Sequence, residues 1–406
     1  MIKIKYTKDD ALQRLNAMCE SLDSPTTSLE SDLSWYLSGA SPDPNPSYDP
    51  TFTGGLLSST WSDILDLSRV DIIQCLDING VRNSMEEIGK VEEVGMRMEL
   101  DPKFYYTKEL LGYVGKGLEG EKVSVKFGDG KGSVGGGPTL RKIRRCNSDS
   151  SSSGNDGVIY KAEKWRHWRE DDWMTVYEDI GWEKKMDKAT WRGSTTGCED
   201  CYPKIKYENY EDDPKGSKDG KGSAREAVRR GGYGSRAELV RRMDWLNGIE
   251  RGGKNMFDIG VSIYNQNVEN LWGTKPFLSK ADQMGSKVII IAEGNDVATG
   301  SKWAMLSGSV VVMSSPATCS WLMEDEMIPG VHYLEVKWDW SDLVEKVEWC
   351  FDNDEECERI GKMGQCWMRR FLDDEREGIL QEMVVREAIK MQKERGYCGV
   401  LRGGGN

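Results

Sequence analysis

The 406-residue chain contains no apolar run approaching the roughly 20 residues that a bilayer-spanning helix needs. Met1 to Asp10 is polar and lacks the apolar core of a signal peptide, so the sequence as written reads as soluble, with neither leader nor membrane span. Basic residues are outnumbered: 55 Lys and Arg stand against 68 Asp and Glu, a formal net charge of -13. That balance excludes long-range attraction to DNA, RNA or an anionic membrane, while leaving room for a local basic groove that holds phosphate. Cys198-x-x-Cys201 has metal or redox spacing, but no second pair follows at zinc-ribbon distance and the nearest histidine is His167. No metal ligand set is assigned from it.

What is present is a folding chain of more than one domain. Apolar residues make up 38% and there are 15 tryptophans, ample for two cores of ordinary size. The 10 cysteines sit at irregular positions and suit either reduced thiols or a few disulfides; their number does not decide. Ala11, Leu12, Leu15, Met18 and Leu22 share one helical face over residues 7–24. Ser41 to Gly55 reads as an irregular loop before a second helical stretch near Trp61–Leu76. Val123–Phe127 alternates as a strand and stops at Gly128-Asp129-Gly130, a turn that sets a carboxylate at a strand's carboxyl end. Asn147–Gly157 and Glu211–Gly234 are too polar to offset ordering entropy and read as surface insertions.

From Phe257 onward short apolar runs alternate with helical segments, the pattern of a parallel α/β sheet. The runs are Phe257–Val261, Val288–Ala292, Ser309–Met313 and Val331–Val336; helical stretches are expected at Ser301–Leu306, Trp321–Met327 and Ser341–Cys350. A final helix over Glu375–Arg395 is expected to pack back across the first lobe. The expected division is a first lobe over 1–245, a second lobe over 246–372, and a helix with tail over 373–406.

Two blocks carry chemistry. In Val288–Trp303 a buried strand runs into Gly294, a polar turn and a helix whose first turn holds Thr299, Gly300, Ser301 and Lys302. Small residues, helix-start amides and a nearby ammonium suit a diphosphate lying outside the carboxyl ends of the strands. A polar strand-to-helix turn is, however, present in any α/β protein. The second block, Trp191-Arg-Gly-Ser-Thr-Thr-Gly197, offers the forked donors of Arg192 and the hydroxyls and open backbone of Gly193, Ser194, Thr195 and Thr196. It lacks the Gly-Lys-Ser/Thr ending of a Walker loop and reads equally as a turn of small residues.

Together the blocks resemble glycosyltransferase family 90, which includes protein O-glucosyl- and O-xylosyltransferases and capsule xylosyltransferases. Trp182–Gly197 looks like the family's Arg-Gly-Ser signature with its lead-in, and Asp258-Ile-Gly, Glu293–Trp303, Ser307–Val311 and Pro329–Tyr333 follow in the family's order. The resemblance implies a GT-B-like fold: two Rossmann-like lobes, an interlobe cleft and the C-terminal helix on the first lobe. It also implies a UDP-sugar donor and inversion at the anomeric carbon. One carboxylate would take the acceptor proton while protein donors, with no bound metal or other cofactor, neutralise the diphosphate.

By position, Arg192, Gly193, Ser194, Thr195, Thr196, Arg236, Glu293, Asn295, Asp296, Thr299 and Lys302 would line the donor site. The candidate base is Asp129. Two departures stand out: the family's Arg before the Gly-Ser strand falls on Gly300, with Lys302 two residues on, and the Asn-x-Arg-Asp context of the family's base is not reproduced. His167 is read as either lining the acceptor cleft or packed among Trp rings, and His332 as structural. The expected function is transfer of a sugar, glucose or xylose, to a hydroxyl of a protein or glycan, in the secretory pathway as the family implies. The alternative is a catalytically inactive relative that binds a glycan or a partner protein, and release of UDP from a UDP-sugar separates the two.

Overall fold

The computed structural model describes residues 6–40, 56–58, 74–93, 102–115, 117–127, 138–146, 157–162, 172–198, 235–265, 270, 273–396 and 398. The chain divides into two compact units. One gathers residues 26–169, 318–324 and 374–406, and the other 1–25, 170–317 and 325–373. Among the described residues no helix is long and apolar enough to cross a membrane.

The unit containing 26–169 is built on a sheet of β1 (Leu56–Ser58), β2 (Gln74–Asp77), β3 (Lys122–Lys126), β4 (Leu140–Arg141) and β5 (Val158–Ile159), in that spatial order. Pairs β1/β2, β3/β4 and β4/β5 are parallel, whereas β2 and β3 run in opposite directions. The sheet thus departs from the all-parallel arrangement of a Rossmann lobe. Its cause is the connection: two helices, Ile78–Glu93 and Pro102–Tyr113, separate β2 from β3, and a helix pair returns the chain to the strand's own end. A single helix would carry it across and keep the strands parallel.

Val123, Val125, Leu140, Val158 and Ile159 are buried in this sheet. The final helix, Asp374–Glu394, lies along β3, presenting Leu380, Val384, Val385 and Ala388 as its buried stripe. Gln392 from that helix completes the edge of the core, its Oε1 accepting from the Ser124 amide (2.7 Å) and its Nε2 donating to the carbonyls of Ser124 (3.1 Å) and Pro138 (2.6 Å). Lys161, just past β5, forms a buried ion pair with Glu377 of the same helix at 2.6 Å. Disulfides Cys75–Cys398 and Cys146–Cys319 close this unit, the second beside an antiparallel ladder of Arg144–Arg145 with Thr318–Cys319.

The other unit holds a sheet of β6 (Met186–Ser194), β7 (Phe257–Ile263), β8 (Ser286–Ile290), β9 (Val310–Ser314) and β10 (Leu334–Val336). Its spatial order is β7-β6-β8-β9-β10 and every adjacent pair is parallel. Val288, Ile290, Val310 and Val312 form the centre of its core, and helices Ser235–Asn247, Leu343–Asp352 and Asp354–Arg369 contribute Leu239, Val347 and Ile360. The disulfide Cys19–Cys366 joins the first helix, Lys8–Ser21, to Asp354–Arg369. A chain that builds β6, moves to β7 on one side and then returns to β8 on the other reverses strand order at the β6/β8 boundary. In open parallel sheets that reversal opens a crevice at the carboxyl ends of the strands.

Several expectations are corrected here. The Trp191–Gly197 block, read as a loop, begins inside the long strand β6, because Ala189, Thr190 and Trp191 are all buried between β7 and β8. The boundary drawn at residue 245 falls inside the helix Ser235–Asn247, and β6, which precedes that helix, pairs with β7, which follows it. Trp321–Met327 forms no α-helix: the Glu324 carboxylate accepts from the Ser320 amide at 2.6 Å, and only a single tight turn, Glu324–Glu326, follows. His332 lies before β10 rather than within a strand.

Candidate functional site

The β6 strand is anchored at its amino end and carries the candidate site residues at its carboxyl end. Lys185, just before the strand, is buried, donates to the carbonyls of Met284 (2.8 Å) and Ser307 (3.1 Å), and pairs with Asp179. Burial pulls the Lys185 ammonium below its ordinary value, with Asp179 opposing the shift. The lead-in residues Trp182–Lys185 thus fix where the strand begins. Nine residues later β6 delivers Ser194 to the crevice end of the sheet.

There the chain turns through Thr195, Thr196 and Gly197. Asn265, two residues beyond β7, holds the turn: its amide donates to Thr195 Oγ1 at 2.8 Å and its Nδ2 donates to Thr196 Oγ1 at 2.8 Å. Ser194 Oγ and Thr196 Oγ1 stand 2.8 Å apart. Gly197, at φ +85°, lies against the turn that follows β8: a Cβ there would stand 2.5 Å from the Gly294 carbonyl carbon. Only glycine adopts that conformation freely and permits that approach.

Arg236 joins the two turns. From the first turn of the helix Ser235–Asn247 its Nη2 donates to the Ala292 carbonyl at 2.7 Å and its Nη1 to the Thr196 carbonyl at 3.2 Å. The same helix start is tied down by the Trp340 indole, which donates to the Ser235 carbonyl at 2.6 Å. Burial lowers the Arg236 guanidinium from its ordinary value, and Cys198, Asp296 and Glu293 pull it the other way. A guanidinium cannot lose its proton at ordinary pH, so Arg236 is a fixed positive charge at the crevice.

The sequence-selected residues do not all meet. Ser194, Thr196, Arg236, Asn295 and Asp296 are partly buried around the joined turns, and Thr299 is exposed. Thr195 is wholly buried and serves the turn through its bond with Asn265. Gly193 makes room for the Trp191 ring, which a Cβ would approach to 2.4 Å. Arg192, expected to clamp a phosphate, instead turns its fork to β7: Nη2 pairs with Asp258 Oδ1 and Nη1 donates to the Asp258 carbonyl, each at 2.8 Å, and Nε donates to the Pro276 carbonyl at 3.2 Å. Burial resists ionisation of Asp258, but bonds from Arg192 and Lys275 outweigh it and hold its carboxyl below the usual carboxylate range. Lys302, expected to offer an ammonium, is wholly buried at the start of the short helix Ser301–Leu306.

Glu293 bridges outward from the β8 turn, its carboxylate accepting from the Ala317 amide at 3.2 Å and 3.3 Å. Asp129, Cys201 and His167 lie outside the described residues. What the crevice end of the sheet offers is a concentration of hydroxyl, amide and guanidinium donors, which suits an anion with several oxygens.

Comparison with known proteins adds an identity to this geometry. The model of Glycosyl transferase family 90 matches residues 235–384. This stretch is similar to Glycosyl transferase family 90. O-glucosyltransferase LpsA of Dichelobacter nodosus is 38% identical over 103 residues, covering 25% of this chain and 32% of that protein. Uncharacterized protein 179R of Invertebrate iridescent virus 6 is 27% identical over 210 residues, covering 50% of this chain and 16% of that protein. Protein O-glucosyltransferase 3 of Homo sapiens is 29% identical over 156 residues, covering 36% of this chain and 30% of that protein. The chain thus spans about a third or less of the length of these relatives.

The family 90 segment takes in Arg236, Asn265 and the whole β8 turn, while Ser194 and Thr196 precede it and reach it through β6. Asn265 was missed by sequence reasoning. The available signal was its place, an amide side chain just past the carboxyl end of a strand in an open parallel sheet, where ligand-facing residues concentrate.

Proposed function

We propose that the chain is an inverting glycosyltransferase on a GT-B-like fold, moving glucose or xylose from a UDP-sugar to a hydroxyl of a protein or glycan. The family 90 segment and its relatives named as O-glucosyltransferases support glycosyl transfer. The observation that carries the reading is the meeting of the 194–197 and 292–300 turns at the β6/β8 strand-order reversal, stitched by Arg236.

In this reading the donor's diphosphate lies against the joined turns. Charge grows on its leaving oxygen as the anomeric bond breaks, and donors already fixed in place stabilise that charge without reorganising. Arg236 supplies net positive charge, the Ser194 hydroxyl, backed by Thr196, supplies a donor, and backbone amides of the β8 turn complete the cradle. A carboxylate deprotonates the acceptor hydroxyl as it attacks the face opposite the leaving group, which inverts the anomeric carbon. Asp129 is the sequence's candidate for that base. The three disulfides support residence in an oxidising compartment such as the secretory lumen.

The test is incubation of the purified chain with a panel of UDP-sugars, following UDP release and thermal stabilisation. Release with UDP-glucose or UDP-xylose supports the transferase. Stabilisation by a UDP-sugar with no release, even with acceptor glycans and Ser-containing peptides present, supports the inactive relative. Neither stabilisation nor release with any UDP-sugar removes the donor assignment.

A further inference from the structure

We propose that Asn265 is a positioning residue for the nucleotide-sugar site, orienting a hydroxyl relay through Thr196 to Ser194 so that Ser194 presents its hydrogen to a phosphate oxygen of the donor. The inference rests on the reading of this crevice as a diphosphate site. It concerns the direction of the Ser194–Thr196 hydrogen bond, in which either hydroxyl can donate, and it assigns the donor role to Thr196.

The relay begins at Thr195, whose single hydroxyl hydrogen is directed at the Asn265 carbonyl (2.9 Å) and Oδ1 (3.1 Å). Thr195 Oγ1 in turn accepts the Asn265 backbone N–H. In this arrangement the Asn265 amide holds Oδ1 toward the Thr195 hydroxyl and Nδ2 toward Thr196. Nδ2 donates to Thr196 Oγ1 at 2.8 Å.

With that N–H received, the Thr196 hydroxyl is free to donate to Ser194 Oγ, 2.8 Å away. Ser194 Oγ also accepts the Thr196 backbone N–H at 3.4 Å. A serine hydroxyl has two acceptor lone pairs and one hydrogen. With Thr196 as donor, both acceptor positions of Ser194 are used from within the turn, and its hydrogen is what remains to offer outward. Each donor in the chain also polarises the next, which strengthens the terminal one. The turn therefore ends as a donor, matched to an oxyanion and mismatched to another N–H or O–H.

Aspartate at 265 keeps the shape and inverts the logic. Its second oxygen requires a hydrogen from Thr196, so Thr196 no longer donates to Ser194. Ser194 then turns its hydrogen inward to Thr196 and shows lone pairs to the phosphate. The experiment compares UDP and uridine binding by calorimetry for the wild-type chain, Asn265→Asp, Thr196→Val and Thr196→Ser.

The expected result is about a ten- to hundredfold weaker affinity for UDP in Asn265→Asp and Thr196→Val, with uridine binding unchanged and Thr196→Ser close to wild type. Equal loss for uridine and UDP would mean that Asn265 only holds the loop together, and overturns the relay. So does unchanged UDP affinity in Asn265→Asp. Should Asn265→Asp fail to fold by circular dichroism, Thr196→Val decides alone: retained UDP affinity overturns the proposal, and selective loss supports it. A wild-type chain that binds neither UDP nor uridine overturns the diphosphate reading itself, and the relay with it.

Discussion

Gly197 and Gly294 touch backbone to backbone, and this contact joins the turn after β6 to the turn after β8. A Cβ on Gly197 would meet the Gly294 carbonyl carbon at 2.5 Å, and one on Gly294 would meet Arg236 Nη1 and the Thr196 carbonyl oxygen at 2.9 Å. Both positions face backbone, which cannot swing aside. Gly197→Ala also forces an L side chain to φ +85°. The expected outcome is a stability loss of about 1–3 kcal/mol in urea denaturation, together with loss of nucleotide-sugar stabilisation. Gly248→Ala, where the nearest atom is at 3.4 Å, serves as the tolerated control.

Arg236 carries the second prediction. Its fork reaches two carbonyls on different turns, and a lysine ammonium keeps the charge while losing the planar spread needed to reach both. Arg236→Lys is expected to raise KM for the UDP-sugar at least about tenfold, the worth of one charge-assisted hydrogen bond. Arg192→Lys should leave KM nearly unchanged and lower stability instead, since the Arg192 fork is engaged with Asp258 and Pro276. Steady-state kinetics beside thermal melts separate the two arginines; equal KM effects would contradict the assignment.

How much of this was readable before the fold was known depends on the local contrast of each segment. Strands β8 and β9 announce themselves because Val288–Ile290 and Val310–Val312 are unbroken apolar runs buried on both faces. Strand β6 does not, because its buried Ala189, Thr190 and Trp191 are flanked by Asp187, Lys188 and Arg192, so no apolar periodicity rises above the charge. The first sheet is harder still, since β4 and β5 are two residues each and no pattern fits in so short a span. At the site, composition identified the small-residue turns, whereas the division of labour between Arg192 and Arg236 depends on partners distant in sequence. Disulfide pairing likewise joins residues as far apart as 347 positions.

The Cys19–Cys366 bond ties the N-terminal helix to the helix that packs under β9. It closes a loop of 347 residues, so its removal frees a large denatured-state ensemble. Cys19→Ser with Cys366→Ser is expected to lower unfolding free energy by about 2–5 kcal/mol. Urea titration of the double variant against the oxidised wild type measures this. An unchanged midpoint would show that the two helices hold by packing alone.

Asp129 is tested by chemistry rather than geometry. A base contributes to the attack step and little to donor binding, so Asp129→Asn is expected to abolish sugar transfer while UDP affinity stays within about twofold. Retained turnover removes Asp129 from the mechanism and directs the search to other carboxylates of the first half. Loss of UDP affinity together with turnover would assign it a binding role instead.

His332 gives the fold an acid limit. Its Nδ1 accepts from the Ile328 amide at 2.9 Å and its ring packs on Trp367 with centroids 4.9 Å apart. Burial, helped by the Arg370 charge, lowers its pKa from 6.5 to about 4. The imidazole is therefore neutral in the fold, and between those two values the unfolded chain binds a proton that the folded chain refuses. Stability contributed by this group is fully present above pH 6.5 and is lost as pH falls toward 4. The loss is on the order of 3 kcal/mol, taking 1.36 kcal/mol per pKa unit. His332→Asn places an oxygen near the position of Nδ1 and cannot be protonated in this range, so it keeps the Ile328 bond without the titration. Urea midpoints measured from pH 7 to pH 4 should fall more steeply for the wild type than for His332→Asn. Parallel slopes would mean that the acid sensitivity belongs to the carboxylates.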